Sequence, residues 1–284
     1  MEAWNKSVKC MMLSIITINR NNAEGLKRTL DSVKEQTCQE FEHIIIDGAS
    51  SDDSVKIIES YVRDVSCMKY DVFWISEPDT GIYNAMNKGV RKAKGEYVLM
   101  LNSGDYLEDE HVIERIIPEL DETDIVQGNV IKVVNGKEIV DCGLGKSNIS
   151  FIDVMGGHFL HQASFCKRTL FDQYGYFDES YRINGDTVFY AKCLGFGNAS
   201  FKYVDQKIAY FDTTGISANP DGKWVAIRRK EDERYEQMFT QRMWDLHMVE
   251  SKKIHLYEKL HSTRWSWWIT MAIAHLVQLI HRGK

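Results

Sequence analysis

Four polar residues at the end of an apolar run are the feature of this sequence that points most directly to chemistry. Tyr97–Leu101 has the length of a buried strand, and Asn102, Ser103, Gly104 and Asp105 follow it directly. In open α/β sheets, ligands bind beyond the carboxyl ends of the strands, where a carboxylate can hold a hard divalent cation against a phosphate. The alternative is an ordinary turn, because all four residue types favour turns.

Polar and acidic residues also end the other apolar runs in the first hundred residues. They are Thr17 and Asn19 at the first run, Asp47 after the second, Asp79 after the third, and Asn102 and Asp105 after the fourth. Each alone is explained by helix capping or turn chemistry. Unrelated caps, however, need not place polar groups at every strand end. We therefore expect these side chains to share one cleft.

The apolar runs alternate with helical patterns. Predicted strands cover Met12–Ile18, His43–Ile46, Asp71–Ser76 and Tyr97–Leu101, and the last is preceded by a predicted helix over Ile82–Ala93. Strands that alternate with helices indicate parallel βαβ units, and continuously apolar strands are typical of a sheet covered on both faces. The sequence therefore predicts an α/β fold with a mostly parallel central sheet flanked by helices.

Composition narrows the class of protein. The net charge of −6 argues against nonspecific binding of nucleic acid. The six cysteines are scattered without a metal-binding spacing, and the first ten residues lack the apolar core of a signal peptide. We therefore expect a cytoplasmic protein with free thiols. The sequence gives no indication of oligomeric state.

The usual devices for cradling phosphates are missing from the sequence. No Walker-type loop is present, and no G-x-G-x-x-G follows the first predicted strand. If the cleft binds a diphosphate, a metal ion is the obvious substitute for neutralising its charge.

Several segments resemble the family 2 glycosyltransferases, which have the GT-A fold. In the first half they are Ser14–Asn21, Ile44–Asp52, Glu77–Gly89 with Gly95–Tyr97, and Leu101–Asp105, which stands where the family has its DXD-type metal motif. Further on, His161–Ser164, Gly175–Glu179 and Gly185–Asp186 fit the acceptor half. The sequence most resembles bacterial enzymes that assemble surface polysaccharides and lipopolysaccharide.

The resemblance implies a reaction and a set of roles. It implies inverting transfer of a sugar from a nucleotide-diphosphate sugar, with a UDP-sugar expected, to a hydroxyl of a glycan or lipid-linked acceptor. It implies a divalent cation, Mn²⁺ or Mg²⁺, held by Asp105, and Asp186 as general base. The nucleotide-sugar candidates are Thr17, Asn19, Asp47, Asp79 and Asn102; the acceptor-side candidates are His161 and Gln162. Asp212, in a late polar loop, is a further candidate for the donor side.

Two positions depart from the family pattern. Gly48 stands where many members have a second acid, and Gly104 replaces one acid of the metal motif. A catalytically silent nucleotide-sugar-binding module is therefore one alternative. A sugar-nucleotide pyrophosphorylase is another, although Asn19–Asn22 lacks the Gly-rich loop of that class. The presence of Asp105 and Asp186 favours the transferase.

The last part of the chain differs in character. We expect residues 11–217 to form the catalytic domain and residues 218–284 a helical extension, in which Arg228–Arg234 forms a solvated charged face.

The end of the chain is basic: residues 222–284 contain 12 Lys and Arg against 7 Asp and Glu. Residues 265–281 are too short and too polar for a membrane span, which needs ~20 mostly apolar residues, but are typical of a helix lying on a membrane surface. The alternative is packing on the catalytic domain or on a second subunit. If residues 265–281 bind a membrane surface, we expect the protein to lie peripherally on the inner face of the cytoplasmic membrane.

Overall fold

The structure is a computed structural model that describes residues 13–217, 221–241, 243, 244, 248, 249 and 252. Its strands are β1 (Leu13–Asn19), β2 (Phe41–Asp47), β3 (Val72–Ser76), β4 (Tyr97–Met100), β5 (Tyr106–Leu107), β6 (Ile125–Val134), β7 (Lys137–Asp141), β8 (Ser164–Lys167) and β9 (Phe201–Phe211). Its α-helices are α1 (Ala23–Lys34), α2 (Ser54–Asp64), α3 (Ile82–Lys92), α4 (Val112–Ile116), α5 (Phe151–Met155), α6 (Thr169–Tyr174), α7 (Gly185–Tyr190) and α8 (Gly222–Glu236).

All of these strands belong to one sheet, whose order is β3-β2-β1-β4-β8-β6-β9-β5, with β7 paired to β6. The half made of β3, β2, β1 and β4 is parallel. Beyond β4 the sheet is mixed: β8 is antiparallel to both β4 and β6, whereas β9 is parallel to β6 and antiparallel to β5. The predicted α/β class is confirmed, and its parallel part is the half with the alternating sequence pattern.

Burial explains why the parallel half forms. Every residue of β1, β2 and β4 is buried, as continuously apolar strands covered by helices should be. Asn22 caps the N-terminus of α1, and its side chain accepts a hydrogen bond from Gly25 N. Helix α3 lies so close to β1 that a Cβ atom at Gly89 would stand 2.4 Å from Ile16 Cγ2. The four predicted strands and the helix at Ile82 are confirmed to within about two residues at each end.

The chain divides into two compact units, one that extends to Tyr235 and one that starts at Glu236. The predicted division after residue 217 stays a prediction. The stretch 265–281 lies outside the described residues. Among the described helices, none is long and apolar enough to cross a membrane. The five cysteines within the described residues are all free thiols.

A buried histidine stands beneath the carboxyl end of β1. His43 on β2 is fully buried; its Nε2 lies 3.0 Å from Thr17 Oγ1 and its Nδ1 lies 2.7 Å from the Tyr61 hydroxyl. Burial lowers the pKa of His43 to about 3, because a charged imidazolium would lose its hydration there. The imidazole is therefore neutral in the folded protein at pH 7.

We predict that acid destabilises the protein through His43. In the unfolded chain this side chain has a pKa of about 6.5, so below that pH the unfolded state binds a proton that the folded state excludes. The contribution is complete above pH 6.5 and is lost by up to about 1.4 kcal/mol per pH unit as the pH falls toward 3. Urea unfolding at pH 7 and pH 5 should show about 2 kcal/mol more loss in the wild type than in His43→Gln. Equal losses in the two proteins would contradict this prediction.

Candidate active site

A cavity of about 830 Å³ opens at the carboxyl ends of the parallel strands. The sequence-predicted residues that line it are Asn19, Asp79, Asn102, Asp105, His161, Gln162, Asp186 and Asp212. Side chains separated by more than 160 residues in sequence thus face one space.

Thr17 and Asp47 do not line this cavity, although sequence analysis named them as nucleotide contacts. Both are fully buried. Asp47 accepts hydrogen bonds from Asn19 Nδ2 at 2.8 Å, from Ser50 N at 2.9 Å and from Ser76 Oγ at 2.6 Å. Burial favours the neutral carboxyl, but these hydrogen bonds outweigh it and hold the pKa of Asp47 below its ordinary value. In this structure Asp47 joins the ends of β1 and β3 to the loop after β2, and Thr17 contacts the buried His43.

Asp79 occupies the space that a side chain at position 48 would need. A Cβ atom at Gly48 would lie 2.2 Å from Asp79 Oδ2. Asp79 accepts a hydrogen bond from Gly81 N at 3.0 Å and lies 3.6 Å from the Arg20 guanidinium. The acid missing from position 48 is thus matched by a carboxylate that reaches the same place from the loop after β3.

Asp105 is a buried carboxylate at the floor of the cavity, with 4% of its surface exposed. Burial raises its pKa to about 7, since the nearby His161 and the hydrogen bonds that it accepts only partly offset the lost hydration. One of those hydrogen bonds comes from Asp212 N, 2.8 Å from Asp105 Oδ1. A bound cation would offset the cost of burying the charge of this carboxylate.

At position 104, as at position 48, the carboxylate of a distant Asp occupies the space that a side chain would need. Gly104 has φ +108°, and a Cβ atom there would lie 2.4 Å from Asp212 Oδ2. Asp212 follows β9, and its side chain is 15% exposed. Its Oδ1 accepts hydrogen bonds from Thr214, while its Oδ2 lies 3.6 Å from Arg28. The carboxylate absent from the motif at residue 104 is therefore replaced in space by that of Asp212.

Asp186 lies in the first turn of α7 and is hydrogen-bonded to His161. His161 Nδ1 is 2.9 Å from Asp186 Oδ2, and the Tyr83 hydroxyl is 3.0 Å from Asp186 Oδ1. Burial opposes ionisation of Asp186, but the hydrogen bond and charge of His161 and the Tyr83 hydroxyl lower the pKa of Asp186 overall. For His161 the effects have the opposite sign. Burial lowers its pKa, but the hydrogen bond and charge of Asp186 and the charge of Asp105 raise the pKa overall.

His161 also connects the two ends of the cavity. Its Nε2 lies 3.2 Å from the Asn102 side-chain nitrogen, at the end of β4. Asn102 Oδ1 is buried without a hydrogen-bond partner. A half-turn of the Asn102 amide would place this oxygen against Nε2 of His161, where it could accept a hydrogen bond from an Nε2–H. One side chain thus spans from the carboxylate of Asp186 to the motif that carries Asp105.

Helix α8 lines the cavity with residues that sequence analysis placed on a solvated face or did not discuss. Trp224 and Arg228 face the cavity, and Glu231 and Tyr235 are buried. Their spacing puts all four on one stripe of the helix. That stripe contains two charged residues, so it lacks the apolar pattern by which a packed helix is recognised. The spacing of Trp224 and Tyr235, which places both on one face of the helix, was the sequence feature that could have predicted its packing.

Tyr83 and Arg182 also line the cavity, and sequence analysis did not name them.

Comparison with known proteins agrees with this geometry. Residues 14–140 match the sequence profile described as Glycosyl transferase family 2. The chain is similar to a PGL/p-HBAD biosynthesis glycosyltransferase of Mycobacterium bovis, with 31% identity over 216 residues that cover 73% of this chain and 79% of the relative.

Two solved structures show the same fold. Residues 1–349 of S. aureus TarS, in complex with UDP-GlcNAc, superpose with a TM-score of 0.59 at 21% identity, covering 71% of this chain and 58% of that one. The mannosyltransferase PcManGT from Pyrobaculum calidifontis, in complex with GDP-Man and Mn²⁺, gives a TM-score of 0.57 at 16% identity, covering 76% and 60%.

The mixed sheet, with its cavity at the strand ends, has the GT-A fold. The chain belongs to glycosyl transferase family 2.

Proposed function

We propose that this protein is an inverting glycosyltransferase that moves a sugar from a nucleotide-diphosphate sugar, with UDP as the expected nucleotide, to a hydroxyl of a glycan or lipid-linked acceptor. The observation that carries the proposal is that one cavity holds an ionised, hydrogen-bonded carboxylate, Asp186, together with a second carboxylate site at Asp105 and Asp212. An inverting transfer needs both a base for the acceptor and charge stabilisation for the leaving group.

Asp186 takes the proton of the acceptor hydroxyl in this mechanism. The acceptor oxygen forms a bond to the anomeric carbon as the bond from that carbon to the diphosphate oxygen breaks, and the nucleoside diphosphate leaves. His161 and Tyr83 hold the carboxylate in one orientation through its two oxygens. Attack from the face opposite the leaving group inverts the anomeric configuration.

The residues present fit a divalent cation. Among the described residues, no three or more His, Cys, Asp and Glu side chains are grouped as a metal site. Mg²⁺-type ions are commonly bound by only one or two carboxylates together with substrate phosphates. Asp105 and Asp212 supply two, and the space over Gly104 is filled by a carboxylate oxygen. We propose that these two residues hold Mn²⁺ or Mg²⁺, which would stabilise the diphosphate as it leaves.

Part of the cavity lining combines apolar and basic groups, and we assign this part to the acceptor. Phe159, Phe211 and Trp224 line it together with Lys132 and Arg228. Such a surface suits the flat faces and hydroxyls of sugar rings and a charged linker. It supports our proposal that the acceptor belongs to surface-polysaccharide or lipopolysaccharide assembly.

We further propose that residues 265–281 bring the enzyme to a membrane surface, because they belong to the basic part of an acidic chain. The full-length protein should float with anionic liposomes, and a chain ending at residue 260 should stay in the dense fraction. Equal flotation of the two proteins would contradict membrane binding by this segment.

A screen of nucleotide sugars, with and without Mn²⁺, tests the donor half of the proposal. A donor at about 100 times its Kd adds about 2.7 kcal/mol to the stability, which corresponds to a rise in Tm of about 5 °C or more. The stabilising donor should then release its nucleoside diphosphate slowly in the presence of Mn²⁺. Stabilisation without any release would favour the silent binding module, and no stabilisation by any nucleotide sugar would contradict the proposed function.

A further inference from the structure

Glu231 is a buried carboxylate that the reaction proposed above does not use. It lies on α8 with only 5% of its surface exposed. Its Oε1 accepts a hydrogen bond from Arg182 N at 2.6 Å, and its Oε2 accepts from Ile183 N and Asn184 N, each at 2.9 Å. Three consecutive backbone N–H groups thus converge on one side chain from another part of the chain. The neighbouring Asp232 accepts from the Asn184 side chain at 2.7 Å.

The loop that Glu231 holds leads directly to the base. Residues 182–184 end where α7 begins, and Asp186 is the second residue of that helix. A carboxylate that gathers three part-buried backbone N–H groups fixes the path of the chain, because without it these donors would lose their protein partner.

The same loop contacts the start of α3. The Arg182 guanidinium donates to Thr80 O, and Ile183 O lies 2.5 Å from the Tyr83 hydroxyl, which also contacts Asp186. At Gly185 the chain lies against the Tyr83 ring, since a Cβ atom there would stand 2.7 Å from Tyr83 Cε2. The position of Tyr83 relative to Asp186 therefore depends on the course of residues 182–185.

We propose that Glu231 is a positioning residue that sets the orientation of the Asp186 carboxylate through the loop 182–184. Glu231 acts through the loop and through Tyr83, and it does not itself touch the substrates. This inference rests on the proposed function, because it assumes that Asp186 is the base. It assigns to α8, which follows the last strand of the sheet, a part in organising the catalytic centre.

The substitution Glu231→Gln tests the proposal in the full-length protein. The amide keeps the size of the side chain but turns one acceptor into a donor that faces backbone N–H. We expect kcat to fall by about tenfold to a hundredfold, the range caused by small displacements of a catalytic group. Donor Kd in the presence of Mn²⁺ should change by less than about threefold, because Asn19, Asp105 and Asp212 are not among the contacts of Glu231. Glu233→Gln, on an exposed face of the same helix, should behave as the wild type.

A double-mutant cycle with Asp186→Asn separates positioning from a general loss of structure. If Glu231 acts through Asp186, adding Glu231→Gln to Asp186→Asn should lower the residual rate by less than about twofold. A further fall as large as that seen in the wild type would overturn the proposal, as would an unchanged kcat in Glu231→Gln. If the Gln variant does not fold, Glu231→Asp, which keeps the charge, enters the same cycle with the same criteria. Normal turnover by Asp186→Asn alone would instead contradict the proposed function.

Discussion

Asp186→Asn should lower kcat for sugar transfer by about 10²–10⁴-fold while donor Kd changes by less than about threefold. Asn keeps the shape of the side chain but cannot take a proton from the acceptor hydroxyl. It also places an amide N–H group against His161 or Tyr83, where the native carboxylate accepts from both. Initial rates at saturating donor and acceptor, together with donor binding measured by calorimetry, would separate the two effects.

The matched control for the base is Asp172→Asn on α6. Asp172 has a side chain that is 61% exposed and, within the described part of the chain, forms its ion pair with Arg168 at the surface. The substitution Asp172→Asn removes one negative charge outside the cavity, so the kcat of this variant should equal that of the wild type. An Asp186→Asn enzyme that turns over normally would show that the base lies elsewhere.

Asp105→Asn and Asp212→Asn should each weaken Mn²⁺-dependent binding of the nucleoside diphosphate by at least about tenfold, because each removes one of the two anionic ligands proposed for the cation. Binding measured in EDTA should change little, since the nucleotide would then be held by contacts that do not involve the cation. Calorimetric titration of UDP with and without Mn²⁺ gives both values. The measurement does not depend on turnover.

A control for these two variants is Asp205→Asn, because Asp205 lies on the same strand that leads to Asp212. Asp205 is exposed, accepts hydrogen bonds from Asn129 and Tyr203, and does not line the cavity. It should leave Mn²⁺-dependent binding unchanged. If Asp212→Asn binds as tightly as the control, the carboxylate that faces Gly104 is not a ligand, and the cation would be held by Asp105 and the substrate alone.

The parallel half of the fold was predictable because its signals are local. Each of β1, β2 and β4 contains a short run of apolar residues, and α3 carries its apolar residues at helical spacing. The mixed half was not predictable in the same way. The pairing of β6 with both β8 and β9 joins segments far apart in sequence, and no local pattern in Ile125–Val134 specifies its partners.

The candidate site was predictable where a residue type had to appear at a strand end. Asp79, Asn102 and Asp105 are of this kind, and they face the cavity. The sequence presents Gly48 and Gly104 as missing acids, whereas the fold brings the carboxylates of Asp79 and Asp212 into the same places. A local motif cannot show that a residue distant in sequence places its carboxylate at the position of a missing acid.

The contacts of Glu231 could not be predicted from the sequence. It stands in a dense run of charged residues, Arg228–Arg234, which is typical of a solvated helix face. Its partners are backbone N–H groups about 48 residues earlier in the chain, and backbone donors have no signature in the sequence. Only the tertiary structure distinguishes it from its exposed neighbour Glu233.

The central claim is that acidic side chains at the edge of the parallel sheet bind a cation together with a nucleoside diphosphate. Its most direct test is a crystal of the full-length protein soaked with UDP and Mn²⁺, with anomalous scattering used to locate the manganese. We expect one manganese peak in contact with Asp105 and Asp212 and with the diphosphate oxygens. A nucleotide bound in the cavity with no manganese at these carboxylates, or manganese bound elsewhere, would contradict the account.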